Sequence, residues 1–64
     1  MAHKPVTVGR SYRHLAHKVH VVAITDDGDK KIVVFKHWAK GRWNYHAEEL
    51  WLFEYVIAFA GGES

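Results

Sequence analysis

The stretch "KVHVVAITDDGDKKIVVFKHW", residues 18–38, limits the fold more than any other part of this chain. Two runs rich in β-branched and aromatic residues, Lys18–Thr25 and Lys31–Trp38, flank "DDGDK". Such runs favour strands, and Asp-Asp-Gly tolerates the positive φ of a tight turn, so the centre of the chain is predicted to be a β-hairpin. Strict alternation puts Val19, Val21 and Ala23 on one side of the first strand and His20, Val22 and Ile24 on the other. In the second strand Ile32, Val34, Lys36 and Trp38 share a side, and Val33, Phe35 and His37 share the opposite one. Both sides are partly apolar, as expected of a sheet that curls and packs on itself.

Weaker signals extend the sheet. "AKGR" (residues 39–42) predicts a second turn leading into a short strand at "WNY" (43–45). "GRSYRHL" predicts an opening strand, and Pro5 keeps the residue before it extended. The C-terminal segment "HAEELWLFEYVIAFA" carries two periods. Leu50, Phe53 and Ile57 fit a helical stripe, whereas Trp51, Phe53, Tyr55, Ile57 and Phe59 alternate as in a strand. Weighting the β-branched and aromatic residues after Leu52 predicts a helical turn at Ala47–Leu50 and then a strand, Leu52–Phe59. The sum is a mainly β fold: five short, mostly antiparallel strands and one helical turn in a small SH3-like barrel. Residues 1–8 and 61–64 are expected to be loose ends of a single domain.

The motifs "GRSYRH", "VHVVAI", "KKIVVFKHW" and "GRWNYHAEELWLF" together resemble a family of small bacterial SH3-like barrel proteins. The likeness runs from Gly9 to Ile57. Where that family carries Arg-Pro after the Trp, this chain has Tyr45-His46. The resemblance implies a barrel and no activity, since no catalytic residues are established for that family and such folds host unrelated functions.

With 64 residues, a chain buries only about 60% of the surface its unfolded form exposes. Cysteine is absent, which removes disulfides and thiolate metal sites and suits a reducing compartment. Stability must then come from the apolar side chains, 48% of the residues, or from a homodimer, here expected through the C-terminal apolar strand. The longest apolar run, Leu50–Ala60, contains Glu54 and falls short of the roughly 20 residues a spanning helix needs. No signal-peptide pattern is present in "MAHKPVTVGRS", so a cytoplasmic location is expected.

Charge is divided along the chain. Residues 1–42 hold nine Lys and Arg against three Asp, a net +6, while residues 43–64 hold four Glu and no base, a net −4. The Asp residues at 26, 27 and 29 suit the hairpin turn. Glu48 and Glu49 suit the first turn of a helix, and Glu54 is expected to meet Arg42 or a Lys. Thr7, Ser11 and Thr25 lack any motif that would activate a nucleophile, so no catalytic residues are assigned and the chain is read as not an enzyme. Six histidines are present. His14, His17 and His20 are spaced by three, and His37 and His46 lie across a turn. Without Cys or a regular ligand motif they are read as solvated or hydrogen-bonded side chains, and no metal or cofactor is expected.

The remaining constellation mixes cations and rings: Arg10, Tyr12, Arg13, Lys36, Trp38, Lys40, Arg42, Trp43 and Tyr45, with Lys18 nearby. Exposed Trp, Tyr and Arg are favoured anchors of protein interfaces. The leading expectation is therefore a non-enzymatic interaction module for a protein partner, of the kind a phage or mobile element uses to inhibit a host complex. The alternative is a nucleic-acid-binding barrel, whose cations follow phosphates while rings stack bases.

Overall fold

The computed structural model describes residues 6–59. Pro5 and the residues from 60 onward, including the expected C-terminal tail, lie outside them. Four strands, β1 (Ser11–His14), β2 (His17–Asp27), β3 (Lys30–Ala39) and β4 (Arg42–Glu49), form one antiparallel meander in the order β1-β2-β3-β4. Helix α1 (Leu50–Phe59) follows directly and packs across one face of this sheet.

The central hairpin forms as its sequence requires. Asp27 pairs with Lys30, leaving Gly28 and Asp29 as a two-residue loop. Gly28 has φ +70°, the glycine-first pattern of a type II′ turn, whose twist matches that of the strands. The second turn places Lys40 and Gly41 between the paired Ala39 and Arg42, both at positive φ (56° and 75°), as in a type I′ turn. The first turn is less natural, because Leu15, between paired His14 and His17, also has positive φ (58°).

Alternation holds along β2 until Val22. There the register shifts, so that Val21 pairs with Phe35 but Ala23 pairs with Val34 and Ile24 with Val33. A bulge inserts one residue into a strand and swaps the faces beyond it. Ile24 thereby returns to the side of Val19 and Val21 and packs against the core, where plain alternation puts Ala23.

The five-stranded barrel does not form. Its fifth strand, Leu52–Phe59, is helical, and its expected helical turn at Ala47–Leu50 is the end of β4, with only Leu50 in the helix. The sheet stays open, with β1 and β4 as its edges. Between the two periods in the C-terminal sequence, burial decides. Phe53 and Ile57 are buried and Leu50 packs beside them, the i, i+3, i+7 stripe of a helix. A strand would have buried Trp51, Tyr55 and Phe59 with them, and these are exposed. A helix also satisfies its own backbone, whereas a fifth strand needs an edge to pair with, and β1 offers only four residues.

The core is a single layer between helix and sheet: Tyr12, Val19, Val21, Val33 and Phe35 beneath Phe53 and Ile57. Phe53 meets Phe35 at 4.9 Å between ring centroids and Tyr12 edge-on at 6.1 Å. Two residues of the stretch expected to be loose are tied to this layer. Val6 packs against it, and the Thr7 amide donates to the Tyr12 hydroxyl at 2.8 Å. Among the described residues no helix is long and apolar enough to cross a membrane.

Candidate functional site

Because the helix covers one face, the other face of the sheet is left open, and the register determines what stands on it. Ser11 pairs with His20, His20 with Lys36, and Lys36 with Tyr45, a row that crosses all four strands. In the next row on the same face, Arg13 pairs with Lys18 and Trp38 with Trp43.

Of these, Ser11, His20, Lys36, Trp38, Trp43 and Tyr45 are in contact. Trp43 stands at the centre, with 39% of its surface exposed. The Lys36 ammonium lies over its ring at 4.3 Å from the centroid and reaches Tyr45 at 5.9 Å. Trp38 meets Trp43 edge-on at 5.3 Å, and so does His20 at 5.4 Å. His20 is held in turn by a 2.7 Å hydrogen bond between its Nδ1 and the Ser11 hydroxyl. Each edge-to-face or cation–π contact contributes roughly 0.5–1.5 kcal/mol, so these contacts favour the assembled cluster in the free protein. Trp38 and Tyr45 remain largely exposed around this pillar. Arg13, Lys18 and Lys36 give this end of the face one sign of charge. Asp27 and Glu49, whose register places them on the same side, lie at the hairpin end opposite or beside Lys30.

The nine residues singled out in the sequence separate into groups. Arg13, Lys36, Trp38, Trp43 and Tyr45 come together on the open face. Tyr12 does not, being 2% exposed and part of the core on the helix side. Lys40 and Arg42 line a hollow with His17, His37 and Asn44 at the end of the sheet. Arg10 precedes β1, where its carbonyl accepts from the Val21 amide at 3.0 Å. His20 was missed, although the alternation that sets it opposite Val19 and Val21 already placed it beside Lys18 on the second face.

The helix side carries a second cluster where α1 leaves the sheet uncovered. The rings of His17 and His37 stack at 4.4 Å and those of His37 and His46 at 5.0 Å. His46 Nε2 and His37 Nδ1 share a 3.1 Å hydrogen bond, so the two histidines across the second turn do approach. His14 meets Glu48 at 3.0 Å and stacks on Phe53. Together with Val19 and Phe35 these groups line a cleft of about 320 Å³. Partial burial lowers the pKa of His37, and the neighbouring His17 and His46 lower it further. Among the described residues no three His, Asp or Glu side chains are arranged to hold a metal ion.

The acidic residues differ from expectation. Glu48 and Glu49 belong to β4, and the first turn of α1 has no acidic residue. Glu49 accepts from the Trp51 indole at 3.0 Å. Glu54 lies in a hollow whose lining includes Lys30 and Lys31 and not Arg42.

Compared with family models, characterised proteins and solved structures, the chain matches none.

Proposed function

We propose that this protein is a non-enzymatic binding module that docks an acidic protein partner on the open face of its sheet. The observation that carries this reading is the preassembled cluster of Trp43, Trp38, Tyr45, His20 and Lys36. Hot spots of protein interfaces are rigid aromatic anchors, surrounded by contacts that exclude water. Trp43 is held on three sides, with its neighbours forming the surrounding ring. Arg13, Lys18 and Lys36 supply a field of one sign, which speeds and orients the approach of a negatively charged surface.

A single-stranded nucleic acid would use the same cations, but it needs free ring faces on which to stack bases. One face of Trp43 already carries the Lys36 ammonium, and Trp38 and His20 stand against it nearly perpendicular. With Trp43 as the anchor this favours a protein, and Trp38 and Tyr45 are the rings left open to stacking.

The test is affinity capture from the host with and without nuclease, run beside direct titration with oligonucleotides at about 0.15 M salt. A partner retained after nuclease and lost on Trp43→Ala is expected, with a loss of roughly 30-fold or more for an anchor of at least about 2 kcal/mol. Micromolar binding of oligonucleotides, abolished by changing Arg13, Lys18 and Lys36 to Gln, would instead assign the face to nucleic acid.

A further inference from the structure

We infer that the outward face of α1 is the contact between two copies of this chain. Opposite the buried Phe53 and Ile57, the helix presents Trp51, Tyr55 and Phe59, which are 63%, 59% and 82% exposed. They are spaced by four and so form one stripe, and the rings of Tyr55 and Phe59 already stack at 5.9 Å. A helix that is apolar on every side is one that both of its faces bury, and Glu54 is the only charged residue in α1.

The size of the stripe fits a dimer. Three aromatic side chains at these exposures present on the order of 300–500 Å² per protomer. Two such stripes, with the residues that flank them, reach the lower range of specific interfaces, about 1,000–1,200 Å² in total.

The charges beside the stripe indicate a second copy rather than a different protein. A two-fold contact puts the same patch on both sides, so a patch of one strong sign would repel its own copy. The hollow beside Trp51 holds Lys30 and Lys31 together with Asp29, Glu49 and Glu54. Both signs are present and the centre is neutral. The open sheet face, by contrast, has cations alone around its cluster and calls for a partner of the opposite sign.

With the helices antiparallel across a two-fold axis near Tyr55, Trp51 lies against the partner's Phe59. The assembly is then four layers deep, sheet, helix, helix, sheet, and its two open faces point away from each other. The dimer is thereby bivalent, and a partner with repeated sites is held more tightly than by either face alone. The contact itself stands independently of what those faces bind.

The full chain is to be measured by light scattering and by cross-linking. A mass of twice the 7.4 kDa chain is expected, falling to the monomer on Tyr55→Arg with the circular dichroism of the fold retained. Because the chain has no cysteine, Tyr55→Cys supplies a second reading that does not depend on Tyr55→Arg folding. Oxidation should link two chains through position 55, whereas Thr25→Cys, away from the stripe, should not link. A chain that stays monomeric well above micromolar concentration overturns the inference. So does a dimer that survives Tyr55→Arg, or one that links no better through position 55 than through position 25.

Discussion

Leu15 is the residue at which sequence and backbone disagree most. It sits at φ 58° in the first turn and is exposed. A β-carbon in this left-handed region costs roughly 1–2 kcal/mol, and no core contact offsets it. Leu15→Gly is therefore expected to stabilise the fold by up to about 1 kcal/mol after the added flexibility of glycine is counted. In a domain of this size that is a rise in Tm of roughly 4–8 °C, and an unchanged or lower Tm would show that the turn is unstrained. His37 sets a pH dependence. Its folded pKa lies below the ordinary 6.5 because partial burial and the adjacent His17 and His46 oppose its charge. The unfolded chain thus takes up the proton more readily than the folded one. The stability from neutral His37 is complete above about pH 6.5 and is lost as pH falls through that value toward the lower folded pKa. The urea midpoint should fall between about pH 7.5 and pH 5.5, and His37→Gln should reduce the fall. A fall of the same size in the variant would place its origin elsewhere. The approach of His37 and His46 was legible, since both flank a recognisable turn. Their stack with His17 was not, because it depends on which residues the first turn brings face to face.

Among the elements, the hairpin was legible because its signal is local: turn residues, β-branched runs and spacing all lie within about twenty residues of one another. Helix α1 was not, because Leu50–Phe59 satisfies both periods and the choice rests on what lies beneath it. Only the sheet, with Tyr12, Val33 and Phe35 on one face, offers a surface that Phe53 and Ile57 fill together. The bulge at Val22 was equally hidden, since nothing in "VVAI" marks which residue is extra. Phe53 is the test of this packing. It is fully buried against Tyr12, His14 and Phe35, and removing such a ring costs about 3–5 kcal/mol. Losses of that size rival the whole stability of a small domain. Phe53→Ala is therefore expected to abolish the cooperative thermal transition seen by circular dichroism. A transition that persists with a modest shift would mean that α1 is not seated on the sheet.

In the whole molecule a single sheet presents two different surfaces. One is committed to the helix and, among the described residues, to a layer of seven buried side chains; the other is left to solvent with its rings and Lys36 already in contact. The division of charge along the chain does not become two poles, because β4 and α1 fold back on basic strands. Glu49 comes within 3.9 Å of Lys30, and Glu48 is taken by His14. What survives as a field is local, around Trp43. Alternation along β3 made half of this surface legible, grouping Lys36 with Trp38, but Tyr12 shows its limit, since residue type alone put a core ring among the binding residues. The direct test is to replace Trp38, Tyr45 and, as a control on the exposed first turn, Leu15 with a photo-cross-linking amino acid in cells that carry the protein. Cross-links from positions 38 and 45 to a protein of acidic surface, unaffected by nuclease and absent from position 15, are the predicted result. Cross-links from 38 and 45 to nucleic acid, or none stronger than those from 15, would contradict the assignment of the open face.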